Sequence, residues 1–422
     1  MTLSLINAAV AALSLFSSTT STTSTGCTVP TAAPGGKKNV VYFPNWSIFD
    51  RAYNPTDMPS DKITHVMHSF ANLTADGTVY LSDEWADVDK TFPGDDNTEP
   101  GSNVYGIMKQ LYLLKKANRQ LKSQLSIGGA TWSDNFAPAA ATAANRERFA
   151  KTAVKLVADL GLDGLDIDWE FPKTEADAEN YVLLLKAIRK ELDAYSTKSA
   201  NCYRFLLTIA SSAGPKTYGL QPLGALADTI DWFNLMAYDY AGAWGGTAAH
   251  QANLYPSGDE LTTPFSTQVA IDDYLASGVP SDKIVLGLPL YGRAFTDTNG
   301  LGTRFDSVPM GTWEKGIYDY KVLPRPGAVE MTDAVSGATY SWDAANREFV
   351  SYDTKDMIKT KLAWAKTKKL AGSMFWEASG DRTGDESLVV TSANEWGSAL
   401  DSSNNNLEYP ESIYDNIKAK MA

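Results

Sequence analysis

Eight short apolar runs, separated by longer amphipathic segments, limit the folds open to this chain. The runs lie at residues 39–43, 63–70, 121–127, 164–169, 205–210, 232–238, 284–290 and 372–376. Between several of them the apolar residues repeat at helical spacing, as in 149–160 and 181–192. Eight strands that alternate with helices indicate an α/β protein with a closed parallel (β/α)8 barrel, a TIM barrel. An open doubly wound sheet is the alternative, and the lack of a GxGxxG motif after the first run counts against it.

One connection is much longer than the others. About sixty residues separate the seventh run from the next helical segment, whereas βα loops usually have about two to six. This stretch is rich in aromatic residues, and 338–342 alternates like a strand. We therefore expect a compact β-rich insertion at 294–350, the barrel at 38–293 and 351–400, and a C-terminal tail at 401–422. Because the βα loops lie on the catalytic face of a barrel, the insertion should form one wall of a cleft.

The N-terminal residues predict export from the cell. Residues 3–16 form an apolar run that is too short to span a bilayer, which takes about 20 helical residues. Residues 1–18 are therefore predicted to be a signal peptide, although no Lys or Arg precedes the run, and a Ser/Thr-rich leader follows at 19–37. A cytosolic protein with an uncleaved N-terminus is the alternative. Cys27 and Cys202 could pair outside the cell or remain free thiols.

Charge and composition exclude several classes of function. The chain has 37 Lys and Arg against 50 Asp and Glu, and the formal charge of −13 has the wrong sign for binding nucleic acid or anionic membranes. Three histidines and two cysteines, without an HExxH or CxxC motif, are too few for a Cys/His zinc site. We therefore expect a protein that uses no metal and no cofactor and does not bind nucleic acid or membranes. We also expect it to be soluble, secreted and a monomer.

The segment DGLDIDWE at 163–170 places three acids on one strand. Strand side chains alternate, so Asp166, Asp168 and Glu170 should point the same way, into the barrel. Three carboxylates on one inward face repel each other, so at least one proton must be shared or retained. A solvated edge strand or a Mg²⁺ or Ca²⁺ site would also group acids. Acid/base catalysis is the favoured interpretation, with Glu170 nearest the C-terminal end of the strand.

This segment resembles the DxxDxDxE signature of the family 18 glycoside hydrolases, the chitinase family. Four further segments are similar to motifs of that family and follow in the same order: SIGG at 126–129, MAYDY at 236–240, GLPLYGR at 287–293 and GSMFWE at 372–377. The long insertion resembles the α+β insertion domain of the deep-cleft subgroup, between strand 7 and helix 7, and the pattern is most similar to secreted fungal chitinases. The resemblance implies hydrolysis of β-1,4-linked N-acetylglucosamine polymers with retention, with chitin and chito-oligosaccharides as the partners. The alternatives are a chitin-binding lectin and an endo-β-N-acetylglucosaminidase that acts on N-glycans.

The resemblance also implies the roles of the catalytic residues. Glu170 would protonate the glycosidic oxygen and then act as base towards water. The substrate's own 2-acetamido carbonyl would attack the anomeric carbon and form an oxazolinium ion, which makes the family an exception among retaining enzymes. Asp168 would accept the acetamide N–H and share a proton with Asp166. Tyr238 would bind the acetamide oxygen, and Asp239 would bind a sugar hydroxyl.

Further residues are expected to bind the substrate, with Trp376 as the floor under the distorted sugar. For Arg293 a structural salt bridge is the alternative to sugar contacts, and for the pocket-lining residues core packing is the alternative. The predicted substrate-binding residues are Tyr42, Trp46, Phe70, Gly129, Trp132, Met236, Trp244, Tyr291, Arg293, Glu314 and Trp376.

Two positions depart from the family pattern. Relatives commonly have Trp directly after SxGG, whereas this chain has Ala130, with Trp132 two places further on. If the chain stays extended there, residues 130 and 132 share a face, and Trp132 could stack on a sugar. Relatives also tend to have Tyr after the catalytic Glu, and Phe171 lacks that hydroxyl.

Overall fold

A computed structural model describes residues 27–33 and 35–421 of the chain. The predicted signal peptide at 1–18 and the first part of the predicted leader lie outside the described residues. Within the described residues, no helix is both long enough and apolar enough to cross a membrane.

Eight parallel strands form a closed barrel. The strands in chain order are β1 (Lys38–Pro44), β2 (His65–Leu73), β3 (Val79–Leu81), β4 (Lys122–Gly128), β5 (Gly164–Asp168), β6 (Leu206–Ser212), β7 (Trp232–Met236), β8 (Ile284–Pro289), β9 (Tyr291–Phe295), β10 (Ile317–Asp319), β11 (Val329–Asp333), β12 (Ala338–Asp343), β13 (Glu348–Ser351) and β14 (Gly372–Trp376). The barrel order is β1-β14-β8-β7-β6-β5-β4-β2, and pairing of β1 with β2 closes it. Each predicted apolar run coincides with one barrel strand, so the predicted α/β barrel is confirmed. β3 adds an antiparallel hairpin to β2.

Helices surround the barrel, and their ends follow local sequence signals. The helices are α1 (Gly106–Ala117), α2 (Gly129–Trp132), α3 (Phe136–Ala141), α4 (Ala143–Leu160), α5 (Glu175–Ser199), α6 (Pro215–Tyr218), α7 (Leu223–Ala227), α8 (Thr267–Ala276), α9 (Lys355–Thr367), α10 (Leu388–Trp396) and α11 (Asp415–Lys418). Thr142 caps the start of α4, and Gly161 ends it at φ +72°. Thr174 and Asp177 form a capping box at the start of α5. The helical spacing predicted at 149–160 and 181–192 is thus present in α4 and α5.

The long connection after β8 folds into a small antiparallel sheet. Its strand order is β10-β9-β13-β12-β11, with a 3₁₀ turn at Tyr320–Val322. Phe295 of β9 and Phe349 of β13 are buried, and partly buried aromatic rings such as Phe305 and Tyr340 pack against them. The sheet begins at Tyr291, earlier than the predicted 294, because the chain passes from β8 into β9 across Leu290 alone. The first strand of the insertion therefore continues directly from a barrel strand.

Both ends of the described chain are attached to the barrel. Cys27 and Cys202 form a disulfide with a Cα–Cα distance of 5.9 Å, which decides the pairing that the sequence left open. In the C-terminal tail the side-chain amide of Asn405 donates to the backbone carbonyl of Lys115 in the last turn of α1 and to those of Asn118 and Leu121 beyond it. The tail thus supplies hydrogen bonds that the end of a helix otherwise lacks.

Candidate active site

The innermost acid of the carboxylate strand, Asp166, is surrounded by hydrogen-bond donors. It is fully buried, and four other barrel strands direct side chains at its two oxygens. The donors and distances are Tyr42 Oη at 2.7 Å, Ser126 Oγ at 2.8 Å, Thr208 Oγ1 at 2.6 Å and Asn234 Nδ2 at 3.1 Å. Burial raises the pKa of Asp166, and these hydrogen bonds oppose that rise. Because a proton on Asp166 would have to displace a donor, the arrangement fits an ionised carboxylate.

The middle acid, Asp168, has the opposite environment. Its Oδ1 is buried and has no hydrogen-bond partner among the described residues, and Asp168 makes no hydrogen bond to Asp166 there. Burial, followed by the charges of Glu170 and Asp166, raises the pKa of Asp168 well above its ordinary value. Burial without a hydrogen-bond donor at Oδ1 therefore favours the protonated form of Asp168.

Glu170 follows the last residue of β5 and lies at the rim of the barrel. Burial and then the charge of Asp239 raise the pKa of Glu170 from 4.5 to about 7, and a hydrogen bond from the backbone N–H of Ala130 opposes the rise. A carboxyl with a pKa near neutrality can both give and take a proton under ordinary conditions. The three acids thus lie in different surroundings, which favour different protonation states.

Two glycines turn the chain sharply after β4. Gly128 and Gly129 have φ of +109° and +75°, and a Cβ on Gly128 would lie 2.3 Å from the carbonyl of Asp168. A Cβ on Gly129 would lie 2.7 Å from the ring of Phe70. The turn leads directly into helix α2, so the chain is not extended at 130–132, and the condition under which residues 130 and 132 would share a face is not met. Residues two apart on a helix do not share a face, and Trp132 therefore points away from Ala130, with 37% of its surface exposed.

Aromatic rings from three strand ends meet beside the acids. The ring of Trp376, at the end of β14, stacks on Phe70 of β2 with a centroid distance of 5.8 Å. Tyr42 meets the same ring edge-on at 5.6 Å, and Trp46 lies 6.5 Å from it. Four of the predicted substrate-binding residues are thus in one cluster, and Trp46, which is 40% exposed, forms its outer edge.

Met236, the last residue of β7, and Tyr238, two residues beyond it, lie in the inward-facing cluster beside the acids. Tyr238 is buried, and the atom nearest to its hydroxyl in a hydrogen-bonding position is Met374 Sδ at 3.8 Å. Burial, then the charge of Asp168, raises the pKa of Tyr238 well above 10, so the phenol keeps its proton and is available as a donor. Met236 is half-buried in the same inward-facing cluster.

Asp239 is held by the first strand of the insertion. Its Oδ1 accepts from Tyr291 Oη at 2.6 Å and from Arg293 Nε at 2.8 Å, and its Oδ2 lies 2.8 Å from the Arg293 guanidinium. The same guanidinium lies 4.8 Å from the ring of Trp244. Arg293 is therefore engaged in the salt bridge named above as the alternative to sugar contacts. A cavity of about 150 Å³ adjoins this group, and its lining includes Asp239, Tyr291, Arg293, Glu314 and Trp376.

Some residues of the site are absent from the sequence-based prediction. Thr208 and Asn234 are polar residues at inward positions of otherwise apolar strands, so strict alternation could have indicated them. Ser133 donates to the carbonyl of Gly129 and accepts from the N–H of Glu170, and no pattern in the sequence indicates those bonds.

Fold and site together define a class of protein. Carboxyl groups in unlike surroundings lie beside an aromatic cluster at the C-terminal ends of barrel strands, which is where barrel enzymes carry their catalytic residues. An acid with a pKa near 7 beside an aromatic cluster fits an enzyme that cleaves sugar linkages by proton transfer.

Comparison with known proteins identifies the family. The family model described as glycosyl hydrolases family 18 matches residues 38–381. Endochitinase 1 of Metarhizium robertsii is 52% identical over 406 residues, which cover 94% of this chain and 96% of that protein. Chitinase 1 of Aphanocladium album is 48% identical over 387 residues, 92% and 91% of the two chains. The catalytic domain of the psychrophilic chitinase B from Arthrobacter TAD20 superposes with a TM-score of 0.80 at 28% identity, over 89% of this chain and 100% of that one. The chain belongs to glycosyl hydrolase family 18 and is an enzyme, a glycoside hydrolase.

Proposed function

We propose that this chitinase hydrolyses β-1,4-linked N-acetylglucosamine polymers with retention, using the substrate's acetamide as the nucleophile. One observation carries the proposal: the acids of β5 leave no free, solvated carboxylate to attack the sugar. Asp166 is surrounded by donors, burial raises the pKa of Asp168, and burial raises the pKa of Glu170 to about 7. Membership of family 18, an exception to the two-carboxylate mechanism, supports the substrate's own acetamide as the nucleophile.

In the proposed reaction Glu170 donates its proton to the glycosidic oxygen as the bond to the anomeric carbon breaks. The acetamide carbonyl oxygen of the same sugar bonds to that carbon and forms an oxazolinium ion. Glu170, now ionised, then takes a proton from water, whose oxygen adds to the anomeric carbon and restores the acetamide. Two displacements at one carbon give net retention.

Asp168 and Tyr238 are the groups proposed to hold the acetamide. Among the described residues, Asp168 Oδ1 has no hydrogen-bond partner, and the partner of the Tyr238 hydroxyl is the sulfur of Met374. An acetamide offers the complementary pair, an N–H and a carbonyl oxygen. An intramolecular nucleophile held in line has a high effective concentration.

The aromatic cluster is the proposed sugar platform. Trp376, Phe70 and Tyr42 would lie against the sugar whose linkage breaks, and Trp46 against its neighbour. Trp132, Trp244 and Glu314 remain predicted contacts further along the cleft. The apolar faces of sugar rings pack on such surfaces, so a long uncharged chain of N-acetylglucosamine suits the site.

We also propose that the protein is secreted, acts on chitin outside the cell and is a monomer. The Cys27–Cys202 disulfide supports this location because disulfides persist in oxidising compartments. The apolar run at 3–16, which lies outside the described residues, is the proposed signal.

The mechanism is tested with a chito-oligosaccharide that carries one glucosamine at a defined position, with products read by mass spectrometry. Cleavage should be essentially absent where glucosamine would supply the anomeric carbon, and normal at other linkages. Efficient cleavage directly after the glucosamine, or a covalent sugar–carboxylate adduct, would contradict the proposal.

Glu170 is tested separately by Glu170→Gln. Turnover should fall by about 10²–10⁴ because general acid catalysis contributes that much, while oligosaccharide binding should persist. Glu179→Gln, an exposed glutamate of α5, is the matched control and should behave as wild type. Retention of a third of the activity by Glu170→Gln would show that Glu170 is not the acid.

A further inference from the structure

The hydroxyl of Ser133 joins the ends of β4 and β5 beside the acid. Its oxygen accepts the backbone N–H of Glu170 at 2.7 Å and donates to the carbonyl of Gly129 at 2.9 Å. The carbonyl of Asp168 lies 3.4 Å from the same oxygen. Ser133 is buried, so solvent has little access to replace these bonds. We propose that Ser133 is a positioning residue that fixes Glu170 for proton transfer, an inference that rests on the function proposed above.

One hydroxyl fixes both sides of the acid. On one side it holds the main chain of Glu170, which lies just beyond the last residue of β5 and so outside the strand hydrogen bonds. On the other side it holds Gly129, at the start of α2, and the next residue, Ala130, donates its N–H to the Glu170 carboxylate. Losing the hydroxyl therefore loosens the main chain of the acid and the turn that donates to it at the same time.

The pH dependence gives one readout of this role. The groups facing Glu170 are Asp168 on its own strand and Tyr238 and Asp239 after β7, with Arg293 bound to Asp239. Ser133→Ala leaves these groups in place and weakens only the opposing hydrogen bond from the turn. The pKa of Glu170 should then rise, and the alkaline limb of kcat/KM should move up by about half a pH unit, as expected for partial loss of one hydrogen bond.

The leaving group gives a second readout, which a purely structural role would not produce. An alkoxide leaving group in a chito-oligosaccharide needs protonation, whereas an activated aryl leaving group needs it much less. For Ser133→Ala we expect kcat to fall about three- to tenfold on the oligosaccharide with KM unchanged. On the matching aryl glycoside the loss should stay under about twofold. Ser133→Thr, which retains the hydroxyl, should restore both values.

Ser412 provides a matched control. Its hydroxyl donates to the carbonyl of Asp159 at 2.7 Å and accepts the backbone N–H of Tyr414 at 3.0 Å, and it is buried in the C-terminal tail. Ser412→Ala thus removes the same two kinds of bond away from the acid, and both substrates and the pH profile should be unaffected. Ser133→Cys keeps the size and weakens the hydrogen bonds. It should show the same selective loss if Ser133→Ala fails to fold.

The outcomes separate this inference from the proposed function. The role of Ser133 would be overturned if Ser133→Ala lost activity equally on both substrates. It would also be overturned if the alkaline limb of Ser133→Ala lay at the same pH as that of Ser412→Ala. Either result would count even if Glu170→Gln is inactive. Activity retained by Glu170→Gln would overturn the proposed function itself. A selective loss on the oligosaccharide together with the shifted limb supports the positioning role.

Discussion

Replacing Glu170 with glutamine should stabilise the protein at neutral and alkaline pH but not in acid. Burial and the charge of Asp239 raise the pKa of Glu170 from 4.5 to about 7 in the folded protein. Below the lower value the group is protonated in both the folded and the unfolded chain, so it favours neither. As the pH rises towards the higher value the unfolded chain releases the proton first, and the free energy of unfolding falls. At about 1.36 kcal/mol per pH unit, the difference between the two pKa values corresponds to a loss of about 3 kcal/mol in the free energy of unfolding.

The assay is urea unfolding of wild type and Glu170→Gln at about pH 4, 6 and 8, with activity-independent detection by tryptophan fluorescence. The variant's advantage should be absent near pH 4, grow through pH 6 and level off above about pH 7, because both states are then ionised. Glu179→Gln, at an exposed position of α5, should give a pH-independent difference from wild type. An advantage of Glu170→Gln that is constant with pH, or that shrinks as the pH rises, would refute the argument that burial keeps this acid protonated.

Three further changes probe other parts of the molecule. Asp239→Asn removes a charge that raises the pKa of Glu170, so the alkaline limb of kcat/KM should move to lower pH. A limb that moves to higher pH would contradict the effect assigned to the charge of Asp239. Cys202→Ser opens the link to Cys27 and should lower the free energy of unfolding by about 2–5 kcal/mol with kcat unchanged, as measured by urea unfolding and turnover. Ala130→Trp places a ring at an exposed position beside the acid. Binding of long chito-oligosaccharides, measured by calorimetry, should become a few-fold to about tenfold tighter. Weaker binding with the fold intact would exclude a sugar contact at this position.

The barrel was predictable because its signals are local. Each strand is a continuous apolar run, and α4 and α5 repeat their apolar residues at helical spacing with recognisable caps. Alternation along β5 also placed Asp166 and Asp168 on the same face. Signals of this kind need only neighbouring residues, and here they were sufficient for the fold class and the carboxylate strand.

The turn after β4 could not be predicted in the same way. Gly128 and Gly129 are compatible with either an extended or a turned chain, and the choice depends on the close approach of the Asp168 carbonyl and the Phe70 ring. Those neighbours come from β5 and β2, which are distant in sequence. The disulfide is a similar example, since its two cysteines are separated by 175 positions and become neighbours only in the folded chain.

The charge state of the acids depends most strongly on such distant contacts. Asp166 and Asp168 are two residues apart on one strand and point the same way. In the part of the chain that the structure describes, residues of β1, β4, β6 and β7 donate to Asp166, whereas Oδ1 of Asp168 has no partner. Moving those donors to Asp168 would exchange the positions of the charge and the proton without changing the motif. The motif therefore specifies which residues are available for the chemistry, and the packing of the other strands determines which of them holds the proton.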